Sequence, residues 1–179
     1  QVDRNGRLEL SFAQQRLWFL SQFEGASEAY HIAGGLRLLG SLDQAALRRA
    51  LDRIVERHEV LRTTFSQVDG RPVQNIGPAE TGFPLREHDL RFAPDRSAAL
   101  ERLAADEAGQ PFDLEHGPLI RGRLAQLDQD DHALLVTMHH IVSDGWSMGI
   151  LINELSQLYR AYCDGQTEAL PSLPVQYTD

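Results

Sequence analysis

The stretch His132-Ala133-Leu134-Leu135-Val136-Thr137-Met138-His139-His140-Ile141-Val142-Ser143-Asp144-Gly145-Trp146-Ser147-Met148 changes its hydrophobic period halfway along. Residues 132–140 form a mostly apolar run of strand length, bounded upstream by the acidic turn Asp128 to Asp131. From Ser147 the spacing turns helical. Met148, Ile152, Leu155, Tyr159 and Tyr162 fall on one stripe, which predicts a helix over 147–162. A strand that hands over to a helix through a short polar loop, with both periods recurring elsewhere in the chain, predicts an α/β or α+β lobe: a mixed sheet with flanking helices.

Outward from that stretch the periods keep alternating. Leu119 to Leu127 reads as a second strand on the other side of the same acidic turn. Pro94 to Ala108 is helical and is closed by Gly109 and Pro111, while Phe83 to Leu90 reads as a strand. Leu61 to Val68 and Pro72 to Ile76 flank Asp69-Gly70, a hairpin signal. Leu47, Leu51, Ile54, Val55 and His58 place a helix over 43–58, with Ser41 and Gln44 at capping-box spacing. Tyr30 to Leu39 is expected as a strand ended by Gly40. Ser11 and Gln14 repeat the capping-box spacing at the head of a first helix, with Ala13, Leu17 and Leu20 on one face. Ala169 to Asp179 reads as a linker leaving the lobe.

Composition narrows the classes of function. The 179 residues suffice for one domain or one lobe of a larger one, and for a core without staples. A net charge of −9 with no Lys/Arg cluster argues against a nucleic-acid partner. Cys163, the single cysteine, has no internal disulfide partner, which suits a reducing cytoplasm. The polar start Gln1 to Asn5 does not read as a signal peptide, and no apolar run approaches the roughly 20 residues of a membrane span.

The chemistry is expected where strand meets loop, because a rigid scaffold there presents a free loop. Alternation puts Leu134, Val136, Met138 and His140 on one face and Leu135, Thr137 and His139 on the other. The two histidines therefore serve different surroundings: one faces a cavity, the other packs on the lobe. They make poor joint ligands for a metal, and no third ligand is evident, so no metal is assigned. An imidazole is suited to moving a proton near neutrality. The helix after Gly145 is expected to aim free N–H groups at the same spot, which suits acyl transfer, and Gly145 lets a thioester come close to the backbone. Each residue also has a plainer reading: a hydrogen-bonded core histidine, Asp144 as helix N-cap, Trp146 as core. Ser143 and Ser147 lack the Gly-x-Ser-x-Gly context of a serine hydrolase.

His139-His140-x-x-x-Asp144-Gly145, continuing as Trp146-Ser147-Met148-Gly149, resembles the signature of the condensation domains of nonribosomal peptide synthetases, in the chloramphenicol acetyltransferase-like superfamily. Two further segments are similar in the right order: Ser11-Phe12-Ala13-Gln14-Gln15-Arg16-Leu17-Trp18-Phe19-Leu20 and Arg57-His58-Glu59-Val60-Leu61-Arg62-Thr63-Thr64-Phe65. Pro111-Phe112-Asp113-Leu114, Gly117-Pro118-Leu119 and Arg121 add to the resemblance, which covers nearly the whole chain. It implies that His140 is catalytic, that His139 and Gly145 support it, and that Asp144 pairs with Arg62 to pin the histidine loop. Breaking such a pair would strand a charge at a cost of about 3–5 kcal/mol. Trp146 and Ser147 are candidates to line a substrate tunnel. Arg16 is a candidate for a structural polar contact, set against a solvated helix arginine.

The resemblance implies an acyltransferase-type reaction. An upstream peptidyl carrier protein presents an acyl or peptidyl thioester on phosphopantetheine, a downstream carrier presents an aminoacyl thioester, and the free amine attacks the upstream carbonyl. No bound cofactor is called for. It also implies that residues 1–170 form the N-terminal lobe, that 171–179 begin the connection to a C-terminal lobe, and that the lobe alone does not turn over. The opening segments lean towards an L-donor, L-acceptor subtype. Three alternatives stay open: an epimerisation domain of the same superfamily, a coenzyme A-dependent acyltransferase, and a carrier-docking module without chemistry.

Overall fold

The computed structural model describes residues 7–23, 28–167 and 170–179; the polar start at 1–5 and the first linker residue, Ala169, lie outside them. In chain order the elements are β1 (Leu8–Glu9), α1 (Phe12–Ser21), β2 (His31–Leu39), α2 (Gln44–Arg57), β3 (Thr63–Val68), β4 (Arg71–Ile76), β5 (Leu85–Asp89), α3 (Arg96–Gly109), β6 (Ile120–Asp128), β7 (Asp131–His139) and α4 (Gly145–Cys163). The mixed α/β architecture read from the sequence is the one observed.

A four-stranded sheet in the order β2-β7-β6-β5 carries the molecule, antiparallel except for the parallel β5–β6 pair. A small sheet β1-β4-β3 stands beside it. The β3–β4 hairpin turns at Asp69-Gly70, where both residues have positive φ, the geometry that this dipeptide tolerates. Residues opposite one another across strands share a face. Ile120, Leu124, Leu134, Val136 and Met138 thus pack against α2 and α4 in the main core, with Leu51, Ile54, Leu155 and Leu158 at 4% exposure or less. Ala125, Leu127 and Ala133 point the other way, onto Leu103 of α3. Gly122 sits at a crowded point of β6. A Cβ there would lie 2.7 Å from the Leu135 carbonyl and 2.9 Å from the Phe83 ring.

Three local expectations differ from what forms. The α2 cap is Asp43, whose carboxylate accepts from the Ala46 N–H at 2.9 Å, rather than Ser41. Asp43 lies directly before the first helical turn, and its carboxylate is as competent a cap as a serine. In α1 the fully buried residue is Gln14, while Ala13 is exposed. In α4 the deepest line is Leu151, Leu155, Leu158 and Ala161; Met148, Ile152, Tyr159 and Tyr162 flank it, partly buried. Leu155 belongs to both stripes, so the helix is rotated about its axis by part of a residue step from the orientation that the apolar stripe suggests. No helix among the described residues is long and apolar enough to cross a membrane.

Candidate active site at the paired histidines

β7 ends at His139, and the chain turns at once. His139 donates its backbone N–H to the Leu119 carbonyl at 3.0 Å, and its own carbonyl accepts from the Val142 N–H at 3.1 Å and from the Ser143 hydroxyl at 3.4 Å. Its Nδ1 accepts from the Ile141 N–H at 3.1 Å. Ile141 and Val142 drop into a cluster with Leu10, Phe65, Phe112 and Leu119. The buried Gln14 amide reaches the Ile141 carbonyl at 3.5 Å and Gln74 at 3.4 Å, holding the turn from α1.

This turn separates the two imidazoles. His139 is fully buried, and burial, aided by nearby His31 and His140, pushes its pKa down to about 4, so the ring is neutral around pH 7. His140 is exposed, anchored through its backbone N–H to the Tyr30 carbonyl at 2.8 Å, with no hydrogen bond to its side chain among the described residues. The division of labour inferred from alternation holds as geometry: one ring inside, one ring open.

Asp144 is the α4 N-cap. Its Oδ1 accepts from the Ser147 N–H at 2.8 Å and the Ser147 hydroxyl at 2.6 Å, and its own N–H donates back to Ser147 Oγ at 3.2 Å. These bonds, with the His140 charge as a lesser influence, hold the carboxyl below its usual pKa. The ion pair expected with Arg62 does not form. The Arg62 guanidinium donates to the Gly77 carbonyl, and Gly77 returns its N–H to the Arg62 carbonyl at 2.8 Å. Asp144 is satisfied within its own helix cap and the Arg62 guanidinium is drawn to Gly77, which keeps the two apart, while Arg62 Nε stays buried without a hydrogen-bond partner among the described residues. A second expectation changes with it: the Trp146 and Ser147 N–H groups at the head of α4 are directed at Asp144, not left free for a developing oxyanion.

The remaining candidates scatter. Gly145 has open space where a Cβ would be, and Trp146 is 83% exposed rather than in the core. Ser147 is spent on the cap and borders a small pocket of about 100 Å³ with Ile54, His58, Met138, Val142 and Ile150. Arg16 is a solvated helix arginine, exposed and without a partner among the described residues. Sequence reasoning did not single out Gln14 as a support, nor the part-buried set in which Arg57 at 3.2 Å and His58 at 2.7 Å both meet Glu154. Nor did it find Glu107 of α3, which joins Arg121 at 2.6 Å and Arg123 at 2.5 Å beneath the sheet.

An exposed imidazole just past a central strand, a buried neutral imidazole beside it, and helices on both faces of a mixed sheet define a chloramphenicol acetyltransferase-like lobe. Residues 4–179 match the family model described as "Condensation domain", and the chain belongs to that family, the condensation domains of nonribosomal peptide synthetases. It is 56% identical over 179 residues to malpibaldin synthetase of Mortierella alpina, covering all of this chain and 3% of the relative. It is 46% identical over 179 residues to phosphinothricin tripeptide synthetase PhsC of Streptomyces viridochromogenes, covering 99% of this chain and 16% of that one. The starter condensation domain of rhizomide synthetase RzmA superposes with a TM-score of 0.85 at 26% identity, over 93% of this chain and 40% of that structure. The chain thus spans a small part of the curated relatives and two fifths of that solved chain.

Proposed function

We propose that the chain is the first lobe of a condensation domain that forms a peptide bond between an upstream acyl or peptidyl thioester and a downstream aminoacyl thioester, both carried on phosphopantetheine of carrier proteins. One observation carries this reading: His140 is open to solvent while His139 is sealed in. A docking module without chemistry would be favoured by a buried His140. The amine bonds to the upstream thioester carbonyl and becomes acidic as the tetrahedral intermediate forms; His140 then accepts its proton or holds the amine in line, and collapse breaks the carbon–sulfur bond, expelling the upstream phosphopantetheine thiolate, which takes up the proton. His139 and Asp144 act on structure: His139 shapes the turn, and Asp144 caps α4. Trp146 and Ser147 border the approach to His140. The reading calls for no resident metal or redox group. A second lobe, taking residues 171–179 as the start of the connection, completes the site, in keeping with the two-fifths coverage of the solved relative. The isolated lobe is then inactive.

The test is single-turnover condensation by the domain with its second lobe, using defined donor and acceptor carriers, wild type against His140→Ala. Lost product with unchanged thermal stability supports the reading. Retained product assigns the chemistry elsewhere and favours a carrier-positioning role. Turnover by the isolated 179-residue chain would contradict the two-lobe reading.

A further inference from the structure

On the α3 side of the sheet three rings close on one another, next to His140 but turned away from it. His31 of β2 and His139 of β7 stand directly opposite in register, their ring centroids 6.0 Å apart at 68°. Phe112 is edge-on to both, 4.9 Å from His31 and 6.0 Å from His139.

Their neighbours dictate where the protons sit. His139 Nδ1 accepts from the Ile141 N–H, so the neutral ring carries its proton on Nε2. His31 Nδ1 lies 2.8 Å from the carbonyl of Ala108, in the last turn of α3. A carbonyl only accepts, so His31 carries a proton on Nδ1, and in the neutral form of such a ring Nε2 offers a lone pair. Both Nε2 atoms are buried without a hydrogen-bond partner among the described residues. One cage thus holds one unpaired donor and one unpaired acceptor.

The two do not bond directly. A ring nitrogen lies about 1.1 Å from its centroid, so centroids 6.0 Å apart keep the nitrogens more than about 3.5 Å from each other, beyond hydrogen-bond reach. A buried donor and a buried acceptor held apart in one cage are the pair that a single water joins, accepting from His139 Nε2–H and donating to His31 Nε2.

We propose that His31, through one buried bridging water, fixes the tautomer and orientation of His139 and is thereby a positioning residue for His140. This rests on the reading of His140 as the acting imidazole. The chain of contacts is short. The Ala108 carbonyl sets the His31 tautomer, His31 and the Ile141 N–H act from opposite sides of the His139 ring to hold its tautomer, and the His139 Nδ1 bond to that N–H closes the turn from which His140 projects. Tyr30, the residue before His31, holds the His140 backbone from the same strand end. In the other tautomer of His139, Nδ1–H would point at the Ile141 N–H, donor against donor, and the turn would open.

Long-range 15N NMR on the labelled chain tests this without turnover. His139 is expected as the Nε2–H tautomer and His31 as Nδ1–H, with the His139 Hε2 proton in slow exchange and showing a cross-peak to a long-lived water. His31→Phe keeps a ring against Phe112 but removes the acceptor; it should mix the His139 tautomers and shift the His140 signals. His31→Gln, whose amide oxygen reaches the Nε2 position, should restore both. In the two-lobe domain, His31→Phe should lower kcat about tenfold with the carrier KM unchanged, and His31→Gln should recover most of it. A wild-type His139 carrying its proton on Nδ1, or a His31→Phe variant with His139 and His140 signals unmoved, overturns the proposal. Expected tautomers together with an active His140→Ala domain would instead leave the histidine pair standing and remove the role assigned to His140.

Discussion

Acidification should destabilise this lobe through His139 in a way that one substitution can isolate. The ring titrates at its ordinary 6.5 when the chain is unfolded and at about 4 when folded, because burial disfavours the imidazolium. Between those values the unfolded chain binds the proton more tightly, so the contribution of His139 to stability is present above pH 6.5, falls as pH drops, and levels off only below pH 4. The whole span is worth about 3.4 kcal/mol at about 1.36 kcal/mol per pH unit, of which about 2.4 kcal/mol falls between pH 7 and pH 4.5. Urea unfolding at those two pH values, for wild type and His139→Phe, reads the effect. Phe retains the ring packing against Phe112 but does not titrate. Its lack of an acceptor for the Ile141 N–H is the same at both pH values. His88, also held low by burial and Arg123, contributes to both proteins and cancels. The variant's loss between the two pH values should be about 2.4 kcal/mol smaller than that of wild type. Equal losses would refute the burial of a neutral His139.

Three further outcomes follow from the packing and hydrogen bonding. Asp144→Ala should cost about 1 kcal/mol in urea unfolding, and Asp144→Asn much less, because the carboxylate serves as a helix cap; a loss of about 3 kcal/mol or more would revive the Arg62 pair. Glu107→Gln should cost about 3–5 kcal/mol, since it strands Arg123, 5% exposed, and Arg121 without their carboxylate; a loss under about 1 kcal/mol would show that the two guanidinium groups find other partners. Gly122→Ala should cost about 1–3 kcal/mol by forcing β6 away from Leu135 and Phe83, and a thermal melt unchanged from wild type would contradict the crowding there.

How much of this was legible depends on how local each signal was. The hairpin at Asp69-Gly70 and the Ser11–Gln14 capping box are decided within four residues, and both formed. The β6–β7 pairing followed from two apolar runs around one acidic turn. The parallel β5–β6 pair was not legible, because its partners are joined through α3 and nothing in either strand encodes direction. Gln14 and Glu107 were missed for a shared reason: a polar residue reads as surface until its buried partners are known, and Gln74 and Arg123 are distant in sequence. Opposite faces for His139 and His140 came from strand alternation alone. The Arg62–Asp144 bridge came from resemblance, and local capping displaced it. His31 carried no signal, since its meaning depends on a register set about a hundred residues later.

The turn after β7 also gives meaning to the spacing between His140 and Asp144. Ile141 and Val142, at 3% and 5% exposure, are plugged into the cluster behind the turn, and Ser143 is tied to the His139 carbonyl. The three positions therefore act as a gauge block: they set the height of the imidazole above the head of α4. One added residue would either unplug an apolar side chain or unwind the first helical turn. One removed would drag the ring towards the protein interior. Positions that look free to vary by their chemistry are thus held to a fixed length, with room for apolar, apolar and small side chains in that order.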